Sequence, residues 1–191
     1  MIGAEFNWTS RLKDWWECTE QPEEEFTEPS VLQKLATLFQ KEKVPYRLIH
    51  RPDVFTAPEL AASIRMPGRE VAKVVIVRSD EKYLMAVLPA NRPLDVNRFA
   101  RLIGSKHVAV AEEWELERLF PDCHVGAMPP FGNLYGMPVY VDASLTKQPI
   151  IFFPAGSHHA TLEMNYADYD RLVSPLVGHF AFEPLKKVSG E

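Results

Sequence analysis

The sequence predicts a single domain of mixed helices and strands, and three observations carry that expectation. The chain has 191 residues, enough for one domain to bury a sizeable core without metal or disulfide staples. Apolar residues make up 46% and charged residues 25%, a globular balance that excludes wholesale disorder. Apolar spacing switches repeatedly along the chain between the three-to-four period of helices and the two-residue period of strands. No apolar run approaches the ~20 residues of a membrane span, and no charged-then-apolar leader opens the chain. Cys18 and Cys123 form no CxxC and no ligand cluster, so the expectation is a protein of the reducing cytoplasm without structural disulfides.

Residues 1–29 read as an arm, with Trp8, Trp15 and Trp16 beside the acidic run Glu23 to Glu25. Order is expected from Ser30, where Ser30-Val31-Leu32-Gln33 has the spacing of a capping box. Val31, Leu32, Leu35, Leu38 and Phe39 then predict an amphipathic helix over 31–42. Pro45 forces an extended exit into a strand over 46–50. Thr56-Ala57-Pro58-Glu59 is a second box, with proline in the first turn, opening a helix to about Ile64.

Val71–Arg78 and Tyr83–Leu88 are the strongest strand patterns, joined around Ser79-Asp80 as a hairpin. Helices are predicted over 94–103, ended by Gly104, and over 111–120, with a short strand at 107–110 between them. Four of the sixteen prolines and three of the nine glycines fall within 121–138, a loop of a length that more often serves function than filler. Strands over 137–142 and 148–153 and a last helix over 166–172 complete the body, which is taken to span 30–175, with 176–191 as a tail.

Charge is unevenly placed. Residues 1–30 hold eight acidic and two basic side chains, so of the formal net charge of −5 the remaining residues carry about +1. A body this close to neutral does not suit extended duplex binding, although a local contact to phosphates is compatible with it.

Three features invite chemistry. Lys73 sits in Val71-Ala72-Lys73-Val74-Val75-Ile76-Val77, a strand apolar on both faces, where an ammonium is costly unless it reaches an anion or a wet cleft. Gly126-Ala127-Met128-Pro129-Pro130 has a glycine amide left unobstructed and a direction fixed by paired prolines, as a rigid turn that polarises a carbonyl requires. Gly156-Ser157-His158-His159 follows a strand and offers polar groups to a ligand. Adjacent histidines point apart on a strand, and no HExxH or Cys/His cluster exists, so no metal and no cofactor are expected. Cys123-His124 are sequence neighbours, which rarely meet as nucleophile and base.

The order of these pieces resembles the YbaK/ProX aminoacyl-tRNA deacylases, similar to the editing domain inserted in bacterial prolyl-tRNA synthetases. The resemblance runs through His50-Arg51-Pro52, Thr56, Ala72-Lys73-Val74-Val75, Val87-Leu88-Pro89, Gly126 to Gly132, Pro138 to Asp142 and Ala155-Gly156-Ser157, over about residues 31–175. It implies an α+β fold built on a mixed, strongly curved β-sheet flanked by helices. It also implies hydrolysis of the ester between a mischarged amino acid and the 3′ end of tRNA, with neither metal nor protein nucleophile. Lys73 and Gly126 would then be catalytic, Lys73 positioning the terminal adenosine and the Gly126 amide polarising the carbonyl. His50, Phe55, Thr56, Pro129, Pro130, Gly156 and Ser157 would form the substrate pocket. The implied partners are the aminoacyl-tRNA 3′ end and an aminoacyl-tRNA synthetase, with no membrane. Phe120-Pro121-Asp122-Cys123-His124 replaces the Thr-Gly that many relatives carry before the loop.

The competing expectation is a non-catalytic module that keeps this pocket for a nucleotide, a small ligand or a protein partner. Both readings predict the same fold, and deacylation dependent on Lys73 separates them.

Overall fold

The computed structural model describes residues 30–80 and 82–182. Among these the elements run α1 (Ser30–Glu42), β1 (Tyr46–His50), α2 (Ala57–Ser63), β2 (Ala72–Ser79), β3 (Lys82–Pro89), α3 (Val96–Ile103), β4 (Val108–Val110), α4 (Glu113–Leu119), β5 (Val139–Asp142), β6 (Ile150–Pro154), β7 (Ala160–Asn165), α5 (Tyr166–Val173) and β8 (Leu176–Gly178). The strands form a five-stranded sheet, β4-β2-β3-β5-β8, and a three-stranded sheet, β1-β7-β6. Strand directions are mixed, since β3–β5 and β5–β8 are parallel and the other pairs antiparallel.

The strands thus fall into two sheets rather than one continuous sheet. The two meet where Val71 bridges Phe152, and the Phe152 N–H donates to the Glu70 carbonyl at 2.9 Å. Local sequence sets the principal pieces. Ser79 pairs with Lys82, so the β2–β3 turn has two positions, and Asp80 adopts the left-handed φ of +52° that such turns demand. Thr56 and Glu59 form the reciprocal box expected at the start of α2, and Asp95 caps α3. The box expected at Ser30 rests on a side chain outside the described residues, as does the whole arm 1–29.

β2 is buried on both faces, as its composition predicts. Ala72 and Ile76 join the main core, with Phe39, Met85, Phe131, Phe153 and Tyr169, beneath α1 and α5. Val77 joins a second core with Phe99 of α3 and Phe180. A third, smaller cluster holds Leu60 and Ala61 of α2 against Val71 and Phe152. The chain past residue 175 is part of the fold where a tail is expected: β8 pairs with β5, and the N–H groups of Phe180 and Ala181 donate to Asp142 at 2.8 and 2.7 Å. β8 has only three residues, of which Leu176 and Val177 are exposed, so no alternation marks it. Among the described residues no helix is long and apolar enough to cross a membrane.

Candidate active site

The junction of the two sheets leaves a cavity of about 160 Å³. Four chain segments reach it: the β1–α2 connection with Arg51, Val54, Phe55 and Thr56; α2 with Ala57 and Leu60; the start of β2 with Ala72, Lys73 and Val74; and two turns that supply Gly126, Ala127, Pro154, Ser157 and His158. The α3 core takes in Val77 and the partly buried Val75 of β2, whereas Lys73 lines the cavity, which gives its ammonium a cleft to reach.

Lys73 is half-buried and has no hydrogen-bond or ion-pair partner among the described residues. Burial holds its amine below the ordinary value of 10.5, with no carboxylate to restore it. Arg51 is the second cation of the wall. Its Nε donates to Thr161 Oγ1 at 2.7 Å and its Nη1 donates to the His158 carbonyl, which fixes the guanidinium. Burial also lowers the Arg51 pKa, opposed by Asp53. No carboxylate lines the cavity, so it is an electropositive pocket with apolar walls, suited to an anionic or ester ligand.

The Gly126 loop is held from three directions. The Ala127 N–H donates to the His124 carbonyl at 2.9 Å, the His124 N–H donates to the Gly156 carbonyl at 2.7 Å, and the Gly156 N–H donates to the Ala127 carbonyl at 2.9 Å. Gly126 and Gly156 have φ of +83° and +92°, a region that disfavours side chains. The N–H of Gly126 has no partner among the described residues, leaving it for a ligand. Pro129 and Pro130 are buried behind the loop, outside the cavity wall, and the Tyr169 hydroxyl donates to the Pro130 carbonyl at 3.0 Å. They brace the loop against α5.

Ser157 is fully buried and lines the cavity, yet its Oγ has no partner among the described residues. Such groups are rare unless a ligand or water completes them. Phe55 stands at the rim, 68% exposed, with its ring centroid 4.7 Å from that of His158. Burial, and then the nearby His124, hold His158 below its ordinary pKa of 6.5, so its imidazole is neutral at pH 7.

Of the residues singled out in the sequence, Lys73, Phe55, Thr56, Gly126 and Ser157 come together in the wall. Thr56 Oγ1 also accepts the Glu59 N–H at 3.3 Å as the helix cap. Gly156 acts through the backbone bonds just described. His50 ends β1, pairs with Ala160 and is exposed, outside the wall; Arg51, the next residue, turns inward instead. Cys123 lies outside the wall, with its Sγ 3.2 Å from the Tyr135 hydroxyl. Among the described residues no three His, Cys, Asp or Glu side chains are placed to hold a metal.

Residues 51–172 match the family model of the aminoacyl-tRNA editing domain, a span that includes every wall residue of the cavity. The chain belongs to the aminoacyl-tRNA editing domain family. Among curated relatives of this editing domain, the proline–tRNA ligase of Sulfurihydrogenibium sp. (strain YO3AOP1) is 31% identical over 109 residues, 56% of this chain and 18% of that protein. The proline–tRNA ligase of Macrococcus caseolyticus (strain JCSC5402) is 25% identical over 124 residues, 65% of this chain and 19% of that protein. The editing-domain chain thus spans about a fifth of the length of these relatives. Solved structures share the fold. The hypothetical protein APE2540 superposes with a TM-score of 0.72 at 22% identity, covering 78% of this chain and 99% of that one. A candidate trans-editing enzyme for prolyl tRNA synthetase superposes with a TM-score of 0.70 at 17% identity, covering 80% and 98%.

Proposed function

We propose that this editing domain is a trans-acting hydrolase of mischarged aminoacyl-tRNA. Water adds to the carbonyl of the aminoacyl ester, the bond to the ribose oxygen breaks, and the products are the free amino acid and tRNA with its 3′-terminal hydroxyl restored. The observation that carries the reading is the pairing, in one electropositive cavity of an editing domain, of a half-buried lysine and a glycine N–H that both lack a partner among the described residues.

Lys73 binds the phosphate or ribose of the terminal adenosine and fixes its geometry. The Gly126 N–H donates to the ester carbonyl oxygen and strengthens that bond as negative charge develops in the transition state. The reacting ester is already activated, so positioning and polarisation suffice, with a ribose hydroxyl of the substrate assisting the water. The Ser157 hydroxyl completes its hydrogen bonding on the aminoacyl group, and Phe55 and Thr56 bound it. A cavity of about 160 Å³ lies below the ~300–1,000 Å³ of sites for drug-sized ligands, so it admits a small aminoacyl group while the rest of the tRNA stays outside. Exclusion by size is the effective sieve, because one methylene is worth only ~1–3 kcal/mol in binding. The body of the protein suffices for this chemistry without residues 1–29, and a synthetase is the natural source of the mischarged substrate.

The test is a deacylation panel on tRNAs charged with Ala, Ser, Cys, Thr or Pro, with Lys73→Ala alongside. Rapid loss of one or two aminoacyl groups that depends on Lys73 is expected. A flat panel overturns the hydrolase reading and leaves a binding module.

A further inference from the structure

A second cavity, of about 200 Å³, lies between the end of β3 and the β5–β6 connection, and its wall is dominated by cations. The cations Arg69, Arg98 and Lys147 line it beside the imidazole of His179, together with Arg92, which is already engaged within the chain. The one carboxylate in the wall, Asp142, is 3% exposed and saturated. Its Oδ1 accepts from the Ser144 N–H at 2.9 Å and the Ser144 hydroxyl at 2.5 Å, and its Oδ2 accepts from the N–H groups of Phe180 and Ala181. It therefore has no lone pair left to hold the surrounding cations.

Two further acids lie close by. Glu70 stands 3.3 Å from Arg69 and Asp95 stands 3.2 Å from Arg98. The arginine side chains are 61% and 44% exposed, and ion pairs that open to solvent yield readily to a better anion. Lys147 and His179 have no ion-pair partner among the described residues. The cluster is thus a set of donors lining one cavity, two of them held by solvent-open ion pairs and Lys147 without an ion-pair partner among the described residues.

Its position gives it a use. Pro89 in this wall pairs with Ala72 in the wall of the Lys73 cavity, so both cavities lie at the same end of the β2–β3 hairpin. Arg69 precedes Lys73 by four residues, a separation of at most ~14 Å along extended chain. We infer that the Arg69–Arg98–Lys147–His179 cavity is a second anion site that grips a backbone phosphodiester of the tRNA whose 3′ end enters the Lys73 cavity. This rests on the editing reading for the identity of the RNA, and it explains how a body of nearly neutral charge holds a polyanion: the positive charge is concentrated at one place beside the cleft.

The experiment compares wild type with Arg69→Gln/Lys147→Gln, both side chains being exposed and outside the catalytic cavity. Binding of uncharged tRNA is followed by fluorescence anisotropy across a salt series, and hydrolysis is followed on a 3′-aminoacyl-adenosine that lacks the backbone. The double variant is expected to bind tRNA about tenfold more weakly, with a log K against log salt slope shallower by about 1.5–2, as two lost phosphate contacts require. Its rate on the minimal ester should match wild type. Unchanged tRNA affinity and slope overturn the inference. So does inorganic phosphate binding calorimetrically to wild type and not to the variant while tRNA affinity stays the same, since the cavity then takes free phosphate. If wild type hydrolyses no ester yet the affinity and slope change as expected, the editing reading fails and the phosphodiester site stands.

Discussion

The N–H of Gly156 donates to the carbonyl of Ala127 at 2.9 Å, tying the hairpin turn that carries Ser157 to the loop that carries Gly126. Both halves of the proposed carbonyl-binding arrangement therefore move together. Gly156 has φ of +92°, which for an L side chain costs about 1–2 kcal/mol. Gly156→Ala should lower Tm by about 2–8 °C and slow deacylation. Gly104→Ala is the control: its φ of +70° brings comparable strain, an added Cβ there meets nothing within 4 Å, and it lies outside the cavity wall. Equal losses of activity in both variants would disconnect the tie from catalysis.

Lys73 burdens the fold it serves. Its charged form is penalised by burial and uncompensated, so its pKa in the native state lies below the ordinary 10.5. The penalty is complete below the native value and eases as pH rises through it towards 10.5, as the lysine sheds its proton. Lys73→Met keeps the aliphatic stem and removes the charge. It should abolish deacylation while leaving Tm equal to or a few degrees above wild type at pH 7. A marked fall in Tm would mean that Lys73 is held by a favourable contact.

His158 supplies an acid-side signature. Burial and His124 hold its pKa below 6.5, against the opposing pull of Asp53 and the backbone bond with Val54, while Arg51 adds to the lowering. The unfolded chain therefore takes up the proton first as pH falls below 6.5. The stability contributed by the neutral imidazole is present above that value and is lost as pH falls through the native one. Between pH 7 and pH 5, His158→Gln should show a shallower decline of Tm than wild type. Parallel curves would remove His158 from the acid response.

Cys123 should be inert. Burial pushes its thiol up to about 12, and the sulfur faces Tyr135 outside the cavity wall. In a Cys18→Ser background, alkylation of Cys123 by iodoacetamide at pH 8 should be slow against a free peptide thiol. Cys123→Ala should retain deacylation. Loss of turnover with an intact Tm would restore a thiol mechanism.

The hairpin of β2 and β3, the box at Thr56 and the helix around Phe99 were all legible, because each is fixed by neighbours in sequence. β7 is readable in principle, since Ala160, Leu162 and Met164 alternate with Thr161, Glu163 and Asn165, but its six residues follow directly on a polar turn that masks where the strand begins. In the cavity, Lys73 and Gly126 announce themselves by being out of place, a charge in an apolar strand and a glycine before paired prolines. Arg51 does not. Its inward turn depends on β1 pairing with β7 up to His50 and Ala160, and no local pattern encodes that. The cation cluster around Lys147 is equally hidden, since its members come from four separate segments that only the fold brings together.

The antiparallel pairing of β1 with β7 joins Tyr46 to Met164, across most of the described chain. Closing so long a loop is entropically slow, and contacts of this range form after local hairpins. The β2–β3 hairpin can assemble early, whereas the segment from Arg51 to Thr56 finds its place only once β7 has arrived. Maturation of the cleft is thus expected to be the last step of refolding. Pulse-labelled hydrogen exchange should show β2 and β3 amides protected before those of β1, and simultaneous protection would refute that sequence of events. A nascent chain, on this account, completes the Lys73 cavity only after residue 164 has left the ribosome, so the domain is committed to folding as a whole before the proposed site exists.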